Sequence, residues 1–126
     1  MFGISDGLPS IKEDESFKAY HEKRSCLYQG GLAGKVYWFL FIKNERKTVG
    51  KHIPRYSAND EKLFAEKYAA DALDQNLTFN DLYRRRQAAV LVPLEEYVLK
   101  NPFYKRLIVI GDSYHKVYCL FLSRRS

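Results

Sequence analysis

The residues best suited to chemistry lie late in the chain, where the apolar run Leu107-Ile108-Val109-Ile110 stops at Gly111-Asp112-Ser113. A short β-branched run ended so sharply reads as a buried parallel strand that delivers a loop. A glycine there lets the backbone approach a ligand, and a carboxylate at the carboxyl end of a strand accepts a hydrogen bond from a sugar or polyol hydroxyl. The same spacing also makes an ordinary turn, and spacing alone leaves both readings open. Other chemistry finds less support. His21, His52 and His115 lack the i, i+4 spacing and the neighbouring carboxylate of a metal site, so no bound metal is expected. Ser113 has no Gly-x-Ser-x-Gly frame, and Glu95-Glu96 would point to opposite faces of an extended segment rather than form an acid–base pair. Cys26 and Cys119 are far apart, with no CxxC spacing, and read as reduced thiols.

Several elements must position these groups. The glycine-rich segment Gly30-Gly31-Leu32-Ala33-Gly34 separates a strand over residues 25–29 from the apolar run Lys35-Val36-Tyr37-Trp38-Phe39-Leu40-Phe41-Ile42, which predicts a β-hairpin. The second strand carries large apolar side chains on both faces, so it is expected to be central and covered on both sides. Ser57 with Asp60 starts a helix that runs from Asp60 to about residue 72, and Thr78 with Asp81 starts a shorter one. Residues 88–94 form a strand candidate whose end, at Pro93, belongs to an edge or bulge. Residues 6–23, with Gly7, Pro9 and a string of charges, read as a loop containing a short helix near residues 16–20.

Composition sets the frame. The 126 residues fall in the one-domain range, and 46% hydrophobic with 29% charged side chains is ordinary for a globular chain. An aromatic content of 15% favours strands and apolar pockets over helical bundles. The net charge of +6 attracts anions of every kind, but the basic residues are dispersed. The densest run, Arg84-Arg85-Arg86, reads as a solvated helix end, and no nucleic-acid partner is expected. Met1-Phe2 leads straight into Gly, Ser and Asp without a signal-peptide pattern, and the run over residues 117–122 is too short to span a bilayer. An intracellular protein is expected, cytoplasmic or membrane-associated if part of a longer chain, with no transmembrane segment here.

Gly111-Asp112-Ser113-Tyr114-His115-Lys116 resembles the GD motif of class A flavoprotein monooxygenases, with Tyr114 where that motif has a small residue. Phe2-Gly3-Ile4-Ser5, the block Gly34 to Leu40, Ile53-Pro54-Arg55-Tyr56, Thr78-Phe79-Asn80-Asp81-Leu82-Tyr83 and Leu91-Val92-Pro93-Leu94-Glu95-Glu96 resemble, in the same order, blocks of fungal FAD-dependent monooxygenases of terpenoid and meroterpenoid biosynthesis. The resemblance covers residues 1–116. It implies the para-hydroxybenzoate hydroxylase fold, in which a Rossmann-like FAD domain is interrupted by a substrate domain. For this chain it implies an α/β class with a mixed β-sheet and flanking helices. Residues 1–105 would be part of the substrate domain, and 106–126 a strand and GD remnant of the FAD domain.

The resemblance also implies roles. Asp112 and Gly111 would contact the ribityl chain of FAD, with NAD(P)H as the reductant. Tyr37 would face flavin and substrate as a catalytic tyrosine, and Arg24 would be its arginine partner. The substrate would be apolar, prenylated or terpenoid, and epoxidised or hydroxylated in secondary metabolism. No GxGxxG segment, and no proline-plus-GQG continuation after Lys116, occurs in the sequence. The chain therefore reads as a truncated fragment, inactive alone. The alternative from another class is a non-catalytic remnant or accessory module that binds an apolar ligand or a partner chain.

Overall fold

The structure, a computed structural model, describes residues 1–116. It divides into two compact units between Val92 and Pro93. The first unit runs β1 (Phe2–Asp6), β2 (Ser16–His21), β3 (Arg24–Gly31), β4 (Lys35–Ile42), α1 (Ala58–Tyr68), β5 (Ala72–Asp74), β6 (Leu77–Thr78), α2 (Phe79–Arg84) and β7 (Arg86–Val90). Five of these strands form one sheet in the order β2-β3-β4-β1-β7, with every neighbouring pair antiparallel. The expected mixture of sheet and helix is present. The sheet itself is antiparallel rather than mixed, because tight turns at Glu22-Lys23 and Leu32–Gly34 fold β2, β3 and β4 into a meander, and such turns join only antiparallel strands.

Strand alternation then decides what is buried. On β4 the even positions Val36, Trp38 and Leu40 are fully buried, facing Cys26 and Tyr28 of β3 and Ser5 of β1 in register. The helical layer closes this side. Phe79 of α2 meets Trp38 edge-on at 5.3 Å and 84°, and Leu82, Ala65, Leu73 and Leu77 complete the cluster. Trp38 Nε1–H donates to Ser5 Oγ at 2.8 Å, and Ser5 Oγ–H donates to the Leu82 carbonyl at 2.7 Å, so a polar relay joins three elements inside the core. Each large buried side chain contributes roughly 1.5–3 kcal/mol relative to exposure, against about 0.2–1 kcal/mol for an exposed ion pair such as Lys35 with Asp6. The core therefore sets the stability of this unit. Cys26 lies within it, and burial pushes its thiol up to about 12, which leaves it protonated and unreactive at neutral pH.

The helix starts follow the sequence closely. Ser57 and Asp60 form a reciprocal capping box, with both the Ser57 hydroxyl and backbone N–H donating to Asp60 Oδ2 at 2.7 and 2.8 Å. Thr78 and Asp81 repeat it at the same distances. These bonds hold both carboxyls below their ordinary range. The end of α1 differs from expectation. It stops at Tyr68 because Asp71 is drawn to Arg24, and Ala72–Asp74 turns back as a hairpin against Leu77–Thr78. Arg84 does end α2, but Arg86 enters β7, with its guanidinium 3.8 Å over the Tyr83 ring and 3.8 Å from Glu61.

Residues 16–20 are a strand, not a short helix. Phe17, Ala19 and His21 alternate with Ser16, Lys18 and Tyr20, and Phe17 stacks on Tyr28 at 5.1 Å. The expected strand at 88–94 is β7, at the edge of the sheet, and it ends before Pro93.

The second unit, from Pro93 on, consists of two short hairpins: β8 (Tyr97–Val98) with β11 (His115–Lys116), and β9 (Phe103–Tyr104) with β10 (Leu107–Ile108). Here the reading of a buried parallel strand fails. Leu107–Ile108 is one arm of an antiparallel hairpin turned at Lys105-Arg106, with Lys105 left-handed at φ 53°, and Ile110 is 78% exposed. Among the described residues its only pairing partner is Phe103–Tyr104, a hairpin too small to bury an apolar run. Cys119, the apolar run at 117–122 and the remainder of the expected 106–126 segment beyond Lys116 lie outside the described residues.

Candidate functional site

The odd positions of β4 build a second surface. Tyr37, Phe39 and Phe41 project from the sheet side opposite the helices, where Tyr37 is 44% and Phe39 40% exposed. Among the described residues the helices cover the even face of β4, while on the odd face Tyr37 and Phe39 remain half-exposed and Phe41 is more deeply set. Register sets Phe39 between Leu27 of β3 and Phe2 of β1, and Tyr37 between Gln29 and Ile4. The rings of Phe39 and Phe41 stack at 5.8 Å and 6°, and Phe2 tilts against Phe39 at 5.8 Å and 31°. The Tyr37 ring lies over Gly31, where any Cβ would overlap it. That glycine, read from sequence as a turn residue, makes room for the aromatic ring.

Ser25 belongs to the same side. It pairs with Tyr20 on β2 and Phe41 on β4, it is 3% exposed, and its Oγ is a buried hydroxyl without a hydrogen-bond partner among the described residues. Ser25 and Gln29 carried no sequence motif. Their signal was the strand parity of β3, readable only once Cys26 was known to face the core.

Arg24 stands elsewhere. It is in register with Ile42, five positions along β4 from Tyr37 and so about 17 Å away along the strand. Its parity places it on the helix side. There Nε and Nη2 donate to the two oxygens of Asp71 at 2.6 and 2.7 Å, and the guanidinium lies 5.6 Å from the Tyr68 ring centroid. The bidentate carboxylate holds Arg24 firmly protonated, with its pKa raised. The structure does not bring Arg24 to Tyr37.

In the second unit Gly111 has φ +59°, a left-handed conformation that favours glycine, with open space where a Cβ would be. Asp112 is exposed, and its backbone carbonyl accepts the Tyr97 hydroxyl at 2.7 Å. An exposed carboxylate of this kind can accept one hydroxyl hydrogen bond. Among the described residues no cluster of three or more His, Cys, Asp or Glu could hold a metal, and no helix is long and apolar enough to cross a membrane.

Together these features define an aromatic sheet surface in one unit and a Gly-Asp turn in the other. Sequence comparison relates the chain to fungal FAD-dependent monooxygenases. Over 117 residues, 93% of the chain, it is 41% identical to the FAD-dependent monooxygenase asqG of Emericella nidulans and 35% identical to the FAD-dependent monooxygenase spyC of Aspergillus fumigatus. It is 32% identical over the same length to the FAD-dependent monooxygenase ausM of Penicillium brasilianum. The chain spans about a fifth to a quarter of the length of these curated relatives, 21% for the first and 25% for the others. No family model and no solved structure matches the chain.

Proposed function

We propose that this chain is the substrate-side segment of an FAD-dependent monooxygenase that transfers oxygen to an apolar molecule, prenylated or terpenoid, by epoxidation or hydroxylation. The observation that carries this reading is the half-exposed ring row Tyr37, Phe39 and Phe41 on a central strand, in a chain aligned over nearly all its length with proteins named for that activity. When bound, FAD reduced by NAD(P)H supplies the activated oxygen. This chain's residues do the rest. The rings hold hydrocarbon and exclude water, and the Tyr37 hydroxyl, the phenol of the row, donates a hydrogen bond at the reacting end. Gly111 and Asp112 would hold the ribityl chain, the first by leaving the backbone open and the second by accepting from a hydroxyl. Residues 1–105 then serve the substrate, and the segment from 106 serves the flavin. Arg24, bound to Asp71, would act on Tyr37 only by fixing the hairpin.

The test places residues 1–116 in the corresponding stretch of the asqG monooxygenase and assays NAD(P)H-dependent oxygen uptake with that enzyme's own substrate. A chimera that loads FAD and turns over supports the proposal. One that loads FAD, folds and consumes no oxygen with substrate present overturns it in favour of a second reading. In that second reading the exposed ring row belongs to an accessory module that binds an apolar molecule or partner chain without transforming it.

A further inference from the structure

We infer that the outer edge of β7 docks a second copy of this chain, the two β7 strands pairing antiparallel about Val90 so that their sheets join. The inference is independent of the proposed oxygen transfer. The five-stranded sheet has two outer strands, and the sequence equips them differently. β2 is guarded. The charged Lys18 stands exposed at its middle, and the His21 ring hydrogen-bonds the Ala72 carbonyl at 2.9 Å, where β5 lies against it. Edge charges and covering segments keep an outer strand from pairing with other chains. β7 has neither beyond its start. Arg86 turns to the helix side, where it meets Tyr83 and Glu61, and the register with β1 shifts at Gln87, whose amide donates to Asp6. From Ala88 to Val92 the sequence carries no charge, and Pro93 ends the stretch. The inner edge of β7 pairs with β1, and among the described residues no strand pairs with its outer edge.

What such an edge accepts is extended backbone, because its outward N–H and C=O groups bond to main chain. Charge and register select the same strand of a second copy. Arg84-Arg85-Arg86 precede the uncharged stretch and Glu95 follows it, with Arg85 and Glu95 five residues on either side of Val90. Antiparallel pairing about Val90 therefore sets the basic flank of each copy towards the acidic flank of the other, whereas parallel pairing sets like charge on like. Register gives the same centre. Val90 lies in a cross-strand row with Phe2 of β1, Phe39 of β4 and Leu27 of β3, on the sheet side opposite the helices, and Val90 is 43% exposed. With Val90 facing its own counterpart, this apolar row continues from one sheet into the next. A slip of one residue would turn one sheet over and set its helices beside the aromatic row of the other. The pairing is twofold and closed, each strand being the complement of itself.

The experiment follows the full chain by analytical ultracentrifugation over a concentration series. The unsubstituted chain is expected to form dimers that dissociate on dilution. Val90→Lys and Val90→Glu each set like charges opposite one another at the axis, and each should raise the dimer Kd about fivefold, the upper range for one cross-strand pair. Mixing the two variants should restore dimers, since opposite charges then meet. Lys18→Glu, on the other outer strand, should leave the parental Kd. Hydrogen exchange supplies a reading that needs no substitution: backbone amides within residues 88–92 should exchange more slowly as concentration rises, and those of residues 16–21 should not. A chain that stays monomeric throughout, or whose residues 88–92 gain no protection, overturns the inference. So does a dimer that survives in both Val90 variants, because the copies then meet elsewhere, and so does a mixture of folded variants that remains monomeric.

Discussion

The ring of Tyr37 lies against Gly31 across the β3–β4 hairpin, so that a methyl group at position 31 would occupy the space of Tyr37 Cε2 and Cδ2. The obstructed atoms belong to a side chain that can rotate. Gly31→Ala is therefore expected to leave the fold intact and turn Tyr37 away from its place. In the asqG chimera it should lower oxygen transfer to the same degree as Tyr37→Phe, about three- to tenfold for one hydroxyl contact, with FAD content unchanged in both. Parental turnover in both variants would remove Tyr37 from the reaction.

Ser5 holds Trp38 and the Leu82 carbonyl together at 2.8 and 2.7 Å in the core. Ser5→Ala leaves a buried indole N–H and a buried carbonyl without their partner. The expected loss is about 1–3 kcal/mol in urea unfolding, against no loss for Ser25→Ala, whose hydroxyl is unpaired among the described residues. Equal effects at the two serines would contradict this difference in pairing.

The Arg24–Asp71 pair links the β2–β3 turn to the end of α1. Replacing Arg24 by Met strands a carboxylate whose side chain is mostly buried, and a cost of roughly 1–3 kcal/mol is expected. Because Arg24 and Tyr37 occupy opposite sides of the sheet, Arg24→Met should not alter the affinity of the ring face for the prenyl alcohol farnesol. Loss of that affinity in a folded variant would show coupling through the sheet.

Asp60 and Asp81 are both held below their ordinary range, first by the Ser57 and Thr78 hydroxyls and then by the backbone N–H groups of the same residues. The folded state thus binds fewer protons than the unfolded chain as acid is added. Their contribution is complete above the unfolded carboxyl value near 4 and is lost as pH falls through the lower folded values. The urea midpoint should drop between pH 5 and pH 2.5, and the double variant Ser57→Ala, Thr78→Val should show a shallower drop. Identical pH profiles would mean that other carboxyls carry the acid sensitivity.

Asp112 is an exposed residue beside the left-handed Gly111. The 126-residue chain should emerge colourless from desalting with FAD, since one polyol contact cannot replace the pyrophosphate and adenine sites of a Rossmann unit. In the chimera, Asp112→Ala should weaken FAD retention about ten- to a hundredfold, the worth of one charge-assisted bond, and slow flavin-loaded protein much less. Stoichiometric yellow protein from the chain alone would overturn the first expectation, and unchanged retention in the variant the second.

The hairpin of β3 and β4 and both capping boxes were legible in the sequence, because glycine spacing and Ser/Thr-x-x-Asp encode local geometry. β2 was obscured by its charges, although Phe17, Ala19 and His21 keep strict period-two alternation. The sidedness of β4 could not be read at all: seven consecutive apolar residues carry no polar mark to say which face the helices cover. The fate of Leu107 to Ile110 depends on a partner strand, and that is long-range information. Arg24 looked like a partner of Tyr37 through proximity in sequence, and strand parity together with Asp71 sends it the other way.

Alternation along β4 has a practical consequence for design and for divergence among relatives. Even positions are locked by Phe79, Leu82 and the Ser5 relay, while the odd positions Tyr37 and Phe39 stay half-exposed on the other side of the sheet. Residues 37 and 39 can therefore be randomised together as a compact library without disturbing the packing that keeps the sheet folded. Changes in the shape of the accepted molecule should accumulate there, at alternate letters of a single eight-residue word.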